Sequence, residues 1–328
     1  MEEKPKVIYF GSDAICLPGL RYLADEMTER CELVAVISQP DRRQGRGKKL
    51  KRNPVAEFAA ERGIRLIQPE KPDRDLGDWI VEERVALAFV MAYGHFLPKV
   101  IREAPLNRMV NFHGSILPAY RGASPVETAI AEGETETGVC LMEIVKEMDA
   151  GGVADCEKVP IGPDETSREV RVRLGEAAIP LIERNFDKLI NGSAQFIPQV
   201  APEATFCRKI TKEDGAIDFT LSAKAIRDRL RGFTPWPGAY FGHDGNRIRV
   251  GKIELGGNIS MTNAKPGEVV ANSPSLLVAV DDGVVQFVEL QRPGGRMLPA
   301  SDFLRGYPIS VGEMLEGRKA QALVSKEP

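Results

Sequence analysis

Across the first 190 residues, short apolar runs alternate with segments of helical period, and each run is long enough for one buried strand. The runs fall at residues 6–10, 33–38, 65–68 and 85–93. Helical spacing covers residues 17–29, 53–62 and 75–83, and Asn53 followed by Pro54 reads as an N-cap and first helical position. Strand, helix, strand repeated this way predicts an α/β layer, a Rossmann-like and mostly parallel sheet with helical crossovers. A strand near Val110, a helix at 125–132, strands at 137–144 and 153–159, and an amphipathic helix over 167–190 continue the layer. Residues 191–205, rich in Gly, Pro, Ser, Gln and Asn, then break the pattern and read as a linker. Beyond them the grammar changes. Apart from a helix at 222–231, short strands at 239–241, 247–254, 267–271, 276–279 and 284–290 alternate with turn residues. That spacing suggests a small, OB-like β-barrel. The expected organisation is an α/β domain at 1–190, a linker at 191–206 and a C-terminal barrel domain at 207–328.

A length of 328 residues suits two domains. The net charge of −3 is uneven, since residues 207–328 carry 17 basic and 14 acidic side chains, which hints at an anionic partner. The longest apolar run, 85–93, is about half of a bilayer span, so no membrane association is expected. The polar start runs straight into a strand, so no signal peptide and a cytoplasmic setting are expected. The five cysteines are odd in number and none has metal-ligand spacing, which predicts free thiols in a reducing compartment.

Residues 108–125 hold the sharpest local signal. A short strand there places Asn111 and His113 on one face, because strand side chains alternate with period two. The strand breaks into a Gly, Ser, Pro loop at the carboxyl edge, where open α/β sheets bind ligands. An amide beside an imidazole suits holding a carbonyl while its carbon is attacked. Asp149, after an apolar strand and before Gly151 and Gly152, either orients a histidine and accepts a proton or bonds its own turn. Residues 42–52 hold seven basic side chains and no acidic one, which reads as a mobile loop following a phosphate backbone or as a solvated loop. Neither a P-loop nor a G-x-G-x-x-G is present, which argues against nucleotide hydrolysis and dinucleotide redox chemistry. Arg208, Lys209, Lys212, Arg227, Arg229 and Arg231, near Phe233 and Trp236, make either a nucleic-acid surface or a salt-bridged helix face.

Together these features resemble the methionyl-tRNA formyltransferases of the 10-formyltetrahydrofolate-dependent formyltransferase superfamily. Asn111-Phe-His-Gly-Ser-Ile-Leu-Pro118 is similar to the superfamily signature Asn-x-His-x-Ser-Leu-Leu-Pro. By that resemblance Asn111, His113 and Asp149 form a catalytic triad. Ser115, Ile116, Leu117 and Pro118 would line the folate site, and Tyr93 and Gly94 would border its pterin pocket. The loop carrying Arg42, Arg43, Arg46, Lys48 and Lys49 resembles one that enters the tRNA acceptor stem. Lys209 opens a segment similar to the start of the tRNA-binding barrel. The implied reaction is formyl transfer from 10-formyltetrahydrofolate to methionyl-initiator tRNA, with no metal, by a monomer. Amino-sugar or nucleotide formyl transfer, or RNA binding without catalysis, stay open as alternatives. The chain departs from the family at Ile116 for Leu, Gly152 for an acid and His95 for Gln.

Overall fold

The computed structural model describes residues 3–44, 49–256 and 264–327. In chain order the strands up to the barrel are β1 (Lys6–Phe10), β2 (Glu32–Ile37), β3 (Arg42–Gln44), β4 (Lys49–Lys51), β5 (Leu66–Ile67), β6 (Leu87–Val90), β7 (Arg108–His113), β8 (Arg121–Gly122), β9 (Glu136–Glu143), β10 (Val153–Pro160) and β11 (Phe206–Cys207). The barrel strands are β12 (Ala239–His243), β13 (Asn246–Leu255), β14 (Val269–Ala271), β15 (Leu276–Val280), β16 (Gly283–Gln291) and β17 (Leu298–Pro299), with β18 (Val324–Ser325) at the end. The α-helices are α1 (Leu17–Arg21), α2 (Pro54–Glu61), α3 (Arg74–Glu82), α4 (Lys99–Arg102), α5 (Pro125–Ala131), α6 (Ser167–Ile190), α7 (Ala223–Gly232) and α8 (Ala300–Gly306). The chain divides into two compact units. One comprises Met1–Gly122, Glu136–Pro160 and Arg171–Phe206, the other Ala123–Thr135, Ile161–Val170 and Cys207–Pro328. Residues 191–206 therefore group with the first unit.

The first unit is built on a seven-stranded sheet of order β10-β9-β7-β6-β1-β2-β5. Strands β5, β2, β1, β6 and β7 pair in parallel, while β9 and β10 add antiparallel to the β7 edge. Both faces of the central strands are covered, which is why β1 and β6 read as unbroken apolar runs. The order reverses at β1, with β2 on one side and β6 on the other, so the ligand crevice is expected at the carboxyl ends there. Ile8, Phe10, Ile37 and Val90 pack with Leu76 and Ile80 of α3 in one core cluster. Asn53 caps α2 by accepting from the Val55 and Ala56 amides, and Pro54 opens the helix as expected. The helix expected at 17–29 is instead a 3₁₀ turn, the short α1 and a π turn at Tyr22–Glu26, with the weak helix formers Pro18 and Gly19 at its start.

Two expectations need correction. Residues 42–44 and 49–51 pair as antiparallel strands rather than reading as mobile or solvated loop: Arg42 lies opposite Lys51, Arg43 opposite Leu50 and Gln44 opposite Lys49. The base of the pair is pinned because Gln68 Nε2 donates to Asp41 Oδ1 at 2.9 Å, and Arg52 Nε lies 3.7 Å from Asp41 Oδ2. The cysteines are not all free. Cys140 and Cys156 face each other directly across β9 and β10, with Cα atoms 4.2 Å apart, and form a disulfide. Cys16, Cys31 and Cys207 lie outside the disulfide and are buried.

In the second unit, β12-β13-β16-β15-β14 form an antiparallel sheet with β17 added to β16. Residues 312–316 lie against both of its ends. The Val269 amide donates to the Glu313 carbonyl and the Leu315 amide to the Gly267 carbonyl. Gly242 and Glu316 exchange both amide bonds, at 2.8 and 2.9 Å. These bonds tie the β12 and β14 edges together and close the sheet into a barrel. Phe241, Ile248, Val250, Val285, Phe287 and Leu290 fill its interior with Ile226 and Leu230 of α7.

Candidate active site

Strand β7 carries Asn111 and His113 on one face and the buried Val110 and Phe112 on the other. The Asn111 carboxamide is half-buried and has no side-chain partner among the described residues. His113 is 5% exposed. Its Nε2 lies 3.0 Å from the Tyr120 carbonyl, which can only accept, so Nε2 carries a hydrogen. Its Nδ1 lies 3.6 Å from Asp149 Oδ1. Both ring nitrogens thus face acceptors. Asp149 sits after β9 in the left-handed region at φ +52°. Its other oxygen, Oδ2, accepts the Gly122 amide hydrogen at 2.8 Å. Residues 111, 113 and 149 thus meet at the carboxyl edge of the sheet. The glycines after Asp149 are required by space. A Cβ at Gly151 would run into the Glu143 carbonyl oxygen, and one at Gly152 would lie 2.9 Å from Phe196 Cβ. The latter explains why no acid side chain stands at Gly152.

The segment expected to line the folate site is partly consumed by its own turn. Ser115 is fully buried and donates to the Ala119 carbonyl at 2.6 Å. Leu117 is buried above the disulfide, with its amide 3.4 Å from Cys140 Sγ. Ile116 and Pro118 remain half-buried. Tyr93 belongs to the core cluster of the sheet, edge-on to Phe10, and burial pushes its hydroxyl up to about 12. That hydroxyl and Nδ1 of His95 are buried without a hydrogen-bond partner among the described residues. Gly94, exposed at φ +79°, leaves no room for a Cβ beside Gln39 Nε2. Ser12 Oγ and Gln39 Nε2 both donate to the Tyr93 carbonyl. Two unpaired polar atoms and a free carboxamide fit a ligand rich in ring nitrogens and carbonyls, as a folate is.

Among the basic residues, Arg42 is exposed on β3, and Arg43 and Lys49 are placed in β3 and β4 by backbone pairing. Arg46 and Lys48 lie outside the described residues. Lys209 is exposed. The arginines of α7 favour the salt-bridged alternative. Arg231 Nη2 donates to Asp228 Oδ1 at 2.8 Å, and its Nη1 donates to the Gly162 and Glu165 carbonyls. Lys224 also meets Asp228, at 2.5 Å. Burial lowers the pKa of Arg229. Arg208 grips Asp214 through both terminal nitrogens.

Comparison with known proteins decides the family. The Formyl transferase family pattern matches residues 6–184, and the Formyl transferase, C-terminal domain pattern matches residues 209–308. The methionyl-tRNA formyltransferase of Sorangium cellulosum is 38% identical over 312 residues, covering 94% of this chain and 99% of that protein. The chain belongs to the methionyl-tRNA formyltransferase family. The Sulfurihydrogenibium sp. methionyl-tRNA formyltransferase is 35% identical over 95% of this chain and all of its own length. An N-formyltransferase structure from Helicobacter canadensis, in complex with folinic acid and dTDP-3-aminofucose, shares the fold. Its TM-score is 0.64 at 18% identity, over 88% of this chain and 100% of that one. As a formyltransferase, the chain is an enzyme whose one-carbon donor is a formyl-tetrahydrofolate. Among the described residues no group of His, Cys, Asp and Glu could hold a metal ion, and no helix is long and apolar enough to cross a membrane.

Several groups around the site escaped sequence reasoning: the Tyr120 carbonyl, the Gly122 amide, Arg121, Gln199 and Thr205. Gln199 and Thr205 lie in the stretch whose composition reads as linker. The apolar pair Phe196-Ile197 inside it was the available signal, and Ile197 bridges to Val153 at the sheet edge.

Proposed function

We propose that this chain uses Asn111, His113 and Asp149 to transfer the formyl group of 10-formyltetrahydrofolate to the α-amine of methionyl-initiator tRNA. The observation that carries the residue roles is the 3.6 Å approach of Asp149 Oδ1 to His113 Nδ1, two residues along β7 from an unpaired Asn111 carboxamide. The folate supplies an activated formyl carbon. The amine nitrogen bonds to that carbon, the bond to the folate nitrogen breaks, and one amine proton ends on the leaving nitrogen. Asn111 donates to the formyl oxygen as negative charge develops there, a contribution of roughly 3 to 4 kcal/mol for one such donor. Both nitrogens of His113 already face protein acceptors, so the ring acts mainly through its positive charge. Oδ1 of Asp149, the oxygen not held by Gly122, keeps that charge in place and accepts the amine proton in transit. Ile116 and Pro118, with the unpaired Tyr93 hydroxyl, would hold the folate, while Ser115 and Leu117 shape the turn beneath it.

The nucleic acid would be engaged by exposed Arg42, by Arg43, Arg46, Lys48 and Lys49 of the same basic segment, and by Lys209 of the barrel unit. Such phosphate contacts set register, and discrimination of the initiator needs further contacts. We assign catalysis to residues 1–190 and tRNA binding to residues 207–328 together with the basic segment at 42–52, in a cytoplasmic monomer. The test offers 10-formyltetrahydrofolate with either charged methionyl-initiator tRNA or a nucleotide-linked amino sugar. Formylmethionyl-tRNA is the expected product, and formylation of the sugar alone would overturn the reading. Sedimentation at micromolar concentration should give about 36 kDa; a stable dimer would remove the monomer assignment.

A further inference from the structure

Asp149 occupies a left-handed backbone region that is strained for a non-glycine residue and persists only when neighbours over-determine it. The neighbours that do so come from the segment 197–205. The carboxamide of Gln199 donates from Nε2 to the Asp149 carbonyl and to the Gly151 carbonyl, both at 2.8 Å. Its Oε1 accepts from Arg121 Nε at 3.0 Å and Nη2 at 2.8 Å. All four bonding capacities of the amide are thereby used. Its orientation is fixed by chemistry, because the guanidinium only donates and the carbonyls only accept. Arg121 is 8% exposed, with its guanidinium carbon 5.8 Å from the Phe206 ring centroid. Burial pushes its pKa down, and the charge of Asp149 opposes that.

The residues flanking Arg121 serve the same pair of side chains. The Tyr120 carbonyl receives His113 Nε2, and the Gly122 amide holds Asp149 Oδ2. Thr205 in turn fixes this run. The Tyr120 amide donates to Thr205 Oγ1 and the Arg121 amide to the Thr205 carbonyl, each at 2.8 Å. The Thr205 amide donates to the Pro118 carbonyl at 3.2 Å.

We propose that Gln199, seated on Arg121, is a positioning residue that holds the Asp149 turn so that its free carboxylate oxygen faces His113. Gln199 touches neither substrate and acts through Asp149. The inference rests on the formyl-transfer reading above. It assigns a task to a segment whose composition suggests only a tether.

The discriminating variant is Gln199→Glu. It keeps two oxygens for Arg121 but has no N–H for the Asp149 and Gly151 carbonyls. Formylation of methionyl-initiator tRNA should lose 10- to 100-fold in kcat, with KM for both substrates within about twofold. In an Asp149→Asn background the same change should cost less than about twofold, because the residue it acts through is already disabled. Wild-type kcat in Gln199→Glu, or an undiminished loss in the Asp149→Asn background, would overturn the inference. If Gln199→Glu does not fold, the double variant Arg121→Met with Gln199→Met removes the buried cation and its acceptor together. It should show the same kcat loss, and full activity there is equally fatal. Failure of wild type to formylate methionyl-tRNA would instead sink the formyl-transfer reading, so the two failures are distinguishable.

Discussion

Replacing Asp149 by Asn removes one charge and changes little else. The new side-chain oxygen can still accept the Gly122 amide hydrogen now held at 2.8 Å. Lost, under the proposed mechanism, is the attraction between the free carboxylate oxygen and a positively charged imidazole 3.6 Å away. At that distance two unit charges interact by about 1 kcal/mol at water's permittivity and by about 5 kcal/mol at the effective value of a partly buried site. The His113 and Asp149 side chains are 6% and 17% exposed, so the upper half of that range applies. About 3 to 4 kcal/mol corresponds to a 100- to 1,000-fold fall in kcat. Steady-state formylation of methionyl-initiator tRNA reads it directly, alongside a thermal melt to show an intact fold. Asp149→Asn retaining kcat within threefold of wild type, with an unchanged melt, would refute the reasoning, because a nearly buried charge pair cannot be lost so cheaply at a working site.

Other expectations follow from single contacts. Arg42→Ala should weaken tRNA binding, lower the slope of log affinity against log salt by about one, and leave folate affinity unchanged, as titrations at several salt concentrations would show. In the second unit, burial alone would raise the Asp214 carboxyl, but the Arg208 guanidinium and the Thr211 amide and hydroxyl overcome it and hold the group at about 2. Its contribution is therefore present above an unfolded value near 4 and lost as pH falls toward 2; Arg208→Ala, which leaves the Thr211 bonds, should erase roughly 1 kcal/mol at neutral pH and flatten that part of the acid unfolding curve. Thiol titration of the denatured, unreduced chain should find three reactive cysteines, and five after reduction.

Much of the layer was legible because its signals are local. The run 6–10 appears as β1, Asn53-Pro54 opens α2, and the helix read over 167–190 matches α6. The pairing of Asn111 with His113 follows from strand alternation alone. Asp149 was different. Its turn is indistinguishable from any Asp-x-Gly turn until β7 and β9 are paired, so the residues alone left two readings open and the family resemblance chose between them. The pairing of β3 with β4 was missed because both strands hold charged residues where strands usually carry apolar ones. The disulfide depends on the register that sets Cys140 opposite Cys156, which the separation of 16 residues does not specify. Gln199 was least visible. A lone amide between Pro198 and Val200 acquires meaning only when Arg121, Asp149 and Gly151 arrive from elsewhere in the chain.

The most direct measurement is the single-turnover rate of formyl transfer to methionyl-initiator tRNA by wild type and by Asn111→Ala, with both substrates saturating and their affinities measured separately. Loss of one donor to the developing oxyanion predicts a rate 100- to 1,000-fold lower at unchanged affinities. An Asn111→Ala enzyme as fast as wild type would contradict the account, since the Asn111 amide at the strand edge would then have no part in the transfer.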